Sequence, residues 1–86
     1  MMKVKLLFFA MYRELVGEKE REVELREGST VKDLLRRMEE EYPKLHRLHD
    51  AVMIAVNTEY VTTETTLKEN DQVAFIPPVS GGTKDV

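Results

Sequence analysis

Eighty-six residues without an internal linker make one small domain, and a chain of this length buries only about 60–65% of its unfolded surface, so its core is modest and continuous. The absence of cysteine excludes a disulfide framework, a thiol nucleophile and a thiolate metal site. A formal net charge of −3, with both signs interleaved among 34% charged residues, gives no electrostatic reason to expect nucleic acid as a partner, while 42% hydrophobic residues are too many for a disordered chain.

At the amino terminus, Lys3 and Lys5 precede and interrupt the run Leu6-Leu7-Phe8-Phe9-Ala10-Met11. No small-residue cleavage site follows, and the run is too short to cross a bilayer. A cytoplasmic protein without a membrane partner is expected. Lys3 to Phe9 alternates as a strand does, with Val4, Leu6 and Phe8 on one face and Lys3, Lys5, Leu7 and Phe9 on the other. The second face is charged at its start and apolar at its end. Ala10 to Val16 reads as a short helical turn, with Met11 and Leu15 at i, i+4 and Gly17 as a carboxyl-terminal cap. Glu20 to Arg26 alternates again, Val23 and Leu25 inward, and is expected to pair with the first strand as an antiparallel hairpin.

Glu27-Gly28-Ser29 makes a turn, and Thr30 with Asp33 forms a variant capping box. Val31, Leu34, Leu35 and Met38 then fall on one helical face, and Pro43 closes the helix. Glu39-Glu40-Glu41 are three adjacent carboxylates, read as a solvated helix end rather than a catalytic cluster. His46 and His49 stand at i, i+3 with Asp50 adjacent; metal binding would require a third convergent ligand, and surface histidines are the expected reading. Val52 to Val56 is an apolar strand expected to be buried on both faces. Asn57-Thr58-Glu59 turns into a brief extended piece at Tyr60-Val61, Thr62 to Thr66 is irregular, and Leu67 is an anchor. Asn70-Asp71 leads into a last strand, Gln72 to Ile76, with Val73 and Phe75 on one side and Ala74 and Ile76 on the other.

A single amphipathic helix of about three turns covers one face of a four- or five-stranded sheet and leaves the other partly exposed. A ferredoxin-like sandwich needs two long helices, and only one is present. The expected class is therefore α+β: a ubiquitin-like β-grasp with a mixed sheet on one main helix. After the last strand come Pro77-Pro78-Val79-Ser80-Gly81-Gly82 and then Thr83-Lys84-Asp85-Val86. Prolines lack a donor and stop the sheet, and glycines have the smallest cross-section of any residue. The expected division is a body over 1–78 and a flexible tail over 79–86, the tail being slim enough for a narrow slot in another protein.

Val4 to Ala10, Arg13-Glu14-Leu15-Val16-Gly17, the helix start at Thr30-Val31, Ala55-Val56-Asn57 and above all Asp71 to Gly82 resemble the MoaD family, the sulfur-carrying small subunits of molybdopterin synthase. The resemblance runs from Lys3 to Gly82 and is carried most specifically by the Phe75-Ile76-Pro77-Pro78-Val79-Ser80-Gly81-Gly82 ending. It implies a co-substrate without a catalytic side chain. In the family, an E1-like activating enzyme adenylates the last glycine with ATP. Sulfur then displaces AMP to leave a thiocarboxylate, and the large synthase subunit, in a heterotetramer, uses that sulfur to build the dithiolene of the pterin. No cofactor or metal is implied in the carrier itself. The resemblance assigns the acyl site to Gly82, the thread to Pro77, Pro78, Val79, Ser80 and Gly81, and partner contacts to Phe9, Arg13, Tyr60 and Ile76. Packing of Phe9 and Ile76 in the core, a solvated Arg13 and a turn-anchoring Tyr60 stand as the alternatives. One departure matters: Gly82 is followed by four residues, Thr83 to Val86, so adenylation requires their removal. A ubiquitin-like modifier, a thiamine-type sulfur carrier and an unreactive interaction module remain as other readings.

Overall fold

The computed structural model describes residues 1–48 and 52–77, and side chains through residue 46 in the first of these segments. The first strand, β1, spans Met2–Phe8 with strict inward alternation: Met2, Val4, Leu6 and Phe8 are buried. It ends one residue before the expected Phe9. The helix α1, Met11–Val16, stops at Gly17, whose φ of 84° places it in the left-handed region that glycine occupies without strain. Its buried face is Tyr12 and Val16, whereas the expected pair fares differently: Met11 is exposed and Leu15 only partly covered. The aromatic ring takes the inward place because it removes more apolar area from water, and it packs against Phe75 with ring centroids 6.3 Å apart.

The second strand, β2, covers Glu20–Leu25 and buries Val23 and Leu25. The main helix, α2, covers Val31–Glu41 and begins with a complete capping box: Asp33 N–H donates to Thr30 Oγ1 and Thr30 N–H donates to Asp33 Oδ2. Val31, Leu34, Leu35 and Met38 are all buried, as the spacing predicts. The helix ends at Tyr42, and Pro43 opens a 3-10 helix, Pro43–Leu48. Glu41 at the end of α2 is more than a solvated carboxylate. It pairs with Arg21 of β2 at 2.6 Å, and the same guanidinium reaches Glu18 and donates to the Tyr42 hydroxyl, both at 2.6 Å. This fork ties the end of the helix to the sheet edge.

The strands β3 (Met53–Val56), β4 (Glu59–Tyr60) and β5 (Gln72–Ile76) complete a five-stranded sheet in the order β2-β1-β5-β3-β4. In β3 the adjacent Ile54 and Ala55 are both buried, so both faces of this strand are covered at its middle. The pairing of β1 with β2 is antiparallel, as expected, and that of β1 with β5 is parallel. The first and last strands thus lie side by side at the sheet centre and run the same way. One face packs on α2, where Leu6, Phe8, Val73, Phe75, Leu34 and Met38 are almost fully buried. Burial of each such side chain contributes on the order of 1.5–3 kcal/mol. This is the ubiquitin-like β-grasp arrangement.

Candidate functional site

The opposite face of the sheet has no helix over it among the described residues, and its composition changes across the strands. On β2, Glu20, Glu22 and Glu24 alternate outward, and the register sets Lys3 opposite Glu24 and Lys5 opposite Glu22. Lys5 Nζ also stands 3.4 Å from Glu20 Oε1. Cross-strand pairs of opposite charge satisfy this half of the face locally. Beyond it the character reverses. Leu7 is opposite Ala74, Ala74 opposite Ala55, and Ala55 opposite Tyr60, so one apolar row crosses four strands. In the next row Ile76 is opposite Met53. Phe9, just past β1, donates its backbone N–H to the Phe75 carbonyl at 3.3 Å and so extends the β1–β5 pairing by one residue.

Leu7, Phe9, Ala55, Thr58, Tyr60, Gln72, Ala74 and Ile76 line a shared groove. Phe9 is 41% exposed and Tyr60 61%. Ile76 is half-buried. The core places are already filled: Phe8 and Phe75 pack together at 5.3 Å, which leaves the next residue along, Phe9, outside. The groove carries no carboxylate, imidazole, amine or guanidinium among its lining residues. It therefore holds no general base and no nucleophile pair; its chemistry is desolvation. An exposed apolar patch on a domain this small marks an interaction site.

Of the residues singled out from the sequence, Phe9, Tyr60 and Ile76 come together in this groove. Arg13 is exposed on α1, does not line the groove and forms no ion pair among the described residues. Strand parity placed Leu7 and Ala74 on this face without naming them as contacts, and Met53 and Ala55 were missed as part of the patch. Their signal was present in the period-two alternation, but Ala55 and Ala74 are small and read as filler until the register shows them as the groove floor. Thr58 was read as turn alone. Pro77 is half-buried and follows directly on β5. Because β1 and β5 are parallel, the chain leaves the sheet at Ile76–Pro77 on the same edge as Phe9. Pro78, Val79, Ser80, Gly81, Gly82 and Thr83 to Val86 lie outside the described residues, as do His49 and Asp50. Among the described residues no three acidic or histidine side chains converge as a metal site. No helix among them is long and apolar enough to cross a membrane.

The ThiS family model matches residues 6–82. The chain belongs to the ThiS family. It is similar to the molybdopterin synthase sulfur carrier subunit of Chlamydomonas reinhardtii, with 40% identity over 83 residues, covering 94% of this chain and 100% of that one. Among solved structures it resembles the putative molybdopterin converting factor subunit 1 from Pyrococcus furiosus, with a TM-score of 0.84, 37% identity, and coverage of 92% of this chain and 100% of that one. It also resembles a chain of the complex of subunits 1 and 2 of the molybdopterin-converting factor from Helicobacter pylori, with a TM-score of 0.67, 27% identity, and coverage of 94% and 100%.

Proposed function

We propose that this chain is a sulfur carrier in molybdopterin biosynthesis, the small and non-catalytic subunit of a molybdopterin synthase. The observation that carries the reading is the parallel β1–β5 pairing. It releases the chain at Ile76–Pro77 beside an uncharged groove in a protein whose family match runs through Gly82. Residues 1–78 serve as the body and 79–86 as the tail. The body docks through Phe9, Tyr60 and Ile76, with Arg13 at the margin, and Pro77 to Gly82 reach into the partner. From Ile76 to Gly82 the chain spans at most roughly 20 Å.

The carboxylate of Gly82, once free, is a poor electrophile. An E1-like activating enzyme converts it with ATP to an acyl adenylate, releasing pyrophosphate; reduced sulfur then attacks the acyl carbon and AMP leaves. The resulting thiocarboxylate delivers its sulfur inside the large synthase subunit. ATP belongs to the activating enzyme, and the carrier holds no cofactor of its own. The likeness to a chain of a two-subunit converting-factor complex supports a protein partner of this kind. The cytoplasm, where reduced sulfur and ATP are available, is the proposed setting. The test is to end the chain at Gly82, supply the activating enzyme, ATP and a sulfur source, and weigh the product. Exchange of one oxygen for sulfur is the expected result; an unchanged mass in the presence of active partners refutes the reading.

A further inference from the structure

We infer, resting on the sulfur-carrier reading, that Thr58 is a specificity-determining contact for the large synthase subunit, its hydroxyl held at the docking groove by the side chain of Asn57. Among the described residues, positive φ falls on Gly17, Gly28, Asn57 and Asn70, residue types that accept it, and on two that disfavour it: Ala10, at 49°, and Thr58, at 75°. Both exceptions belong to the docking edge. Ala10 follows Phe9, and Thr58 lines the groove with Phe9 and Tyr60. Thr58 is the costlier of the two, because a branched Cβ is crowded in the left-handed region. A two-residue hairpin turn takes glycine there without strain, and Asn-Gly is the preferred pair. Strained backbone persists where the surrounding structure over-determines it, and it clusters at binding sites.

Asn57 supplies that over-determination. It donates its backbone N–H to the Gln72 carbonyl at 2.8 Å, and its Oδ1 accepts the Gln72 N–H at 2.9 Å. Its Nδ2 donates to Asp71 Oδ1 at 2.8 Å, while Asp71 Oδ2 accepts the Lys68 N–H at 2.8 Å. One side chain thus pins the β3–β4 turn to the start of β5, itself paired with β1 at the sheet centre. Thr58 follows directly, and the clamp sets its conformation. It is exposed, and its hydroxyl forms no hydrogen bond among the described residues, so the fold leaves this group to solvent or a partner. The groove lining otherwise offers only Tyr60 and Gln72 as polar side chains, and no charge. An apolar partner surface fits it, and a hydroxyl at its rim reads one uncharged hydrogen-bonding group on that surface, a backbone amide or carbonyl. Apolar contact alone discriminates weakly between partners, whereas a hydrogen-bonding group left unpaired on docking is penalised.

The test is calorimetric titration of the large synthase subunit with the chain, at its full 86 residues and ended at Gly82, alongside urea melts. Three substitutions separate hydroxyl, branch and backbone. Thr58→Val keeps the branch and nearly the same volume without the hydroxyl. Thr58→Ser keeps the hydroxyl without the branch, and Thr58→Gly removes both and relieves the strain. Thr58→Val and Thr58→Gly are expected to bind roughly threefold to tenfold more weakly, the span of one neutral hydrogen bond, and Thr58→Ser within about twofold of the parent. Thr58→Gly is also expected to melt no lower than the parent, so that stability and affinity move apart; a merely structural residue moves them together. Thr58→Val or Thr58→Gly binding as tightly as the parent, or Thr58→Ser binding as weakly as Thr58→Val, overturns the assignment. A parent that does not bind the subunit at either length brings down the carrier reading and this contact with it. A parent that binds while Thr58→Val matches it brings down the contact alone.

Discussion

Phe9 and Phe75 are joined by a single backbone hydrogen bond of 3.3 Å, from the Phe9 N–H to the Phe75 carbonyl, yet their rings face opposite sides of the sheet. Phe75 is buried in the core, and Phe9 is 41% exposed and lines the groove. The backbone bond holds Phe9 in place whatever its side chain. Phe9→Ala is therefore expected to change stability by no more than about 1 kcal/mol, because little core packing is lost. Truncation of an aromatic anchor at an interface costs about 2 kcal/mol or more, roughly thirtyfold in affinity. Calorimetric titration of the Gly82-terminated chain against the large synthase subunit, alongside a denaturant melt, separates the two. A variant that melts far below the parent while binding normally places the ring in the core instead.

Thr58 offers a stabilising change. The β3–β4 turn has φ of 51° at Asn57 and 75° at Thr58, positive at both central positions as in a type I′ hairpin. Asn tolerates that region, but a β-branched threonine is crowded there. Thr58→Gly is expected to raise stability by about 0.5–1 kcal/mol, strain relief outweighing the added freedom of the unfolded chain. Paired urea melts with unchanged slope measure it. A lower midpoint shows that the threonine side chain contributes more to the groove than its backbone costs.

The positions that the sequence made legible are those where one local rule acts alone. The Thr30–Asp33 capping box, the Val31-Leu34-Leu35-Met38 stripe and the Gly17 cap each follow from nearest neighbours along the chain, and each is present. Tyr12 was misjudged because two i, i+4 pairs compete in α1, and the choice is made by Phe75, sixty-three residues away. Arg21 was illegible for the same reason: its partners Glu41 and Tyr42 come from another element. In the groove, Phe9 and Ile76 were found from strand parity and the family resemblance. Ala55 and Ala74 needed the register, which no single strand reveals.

Acid should weaken the fold in a predictable direction. The Asp33 carboxylate accepts the Thr30 backbone N–H and is held below its ordinary value of 3.8; Glu18 is held below its ordinary 4.5 by hydrogen bonding to Arg21. A carboxylate with a depressed folded-state pKa contributes stability that is fully present above its unfolded value. That stability is lost as the pH falls through the folded value. The thermal midpoint is thus expected to be flat from neutral pH to about 5 and to fall below about 4. Both groups are exposed, so added salt should shrink the effect. Asp33→Asn should flatten the acid limb; the same slope as the parent assigns it to other carboxylates.

Tyr12 gives the sharpest test of the core. Its side chain is 1% exposed, and its hydroxyl has no hydrogen-bond partner among the described residues. Burial also raises its pKa above the ordinary 10.0, since the phenolate would be desolvated. A buried hydroxyl without a partner forfeits its hydration, a cost on the order of 1–3 kcal/mol. Tyr12→Phe keeps the ring against Phe75 and removes only the oxygen. It is expected to leave the fold as stable as before or to strengthen it by about 1 kcal/mol. Tyr12→Ala empties the ring volume and should cost about 3–5 kcal/mol. The sign of the phenylalanine change is decisive. If Tyr12→Phe destabilises by about 1 kcal/mol or more in guanidinium melts of unchanged slope, the hydroxyl has a partner in solution, and α1 is held by a polar anchor as well as by packing.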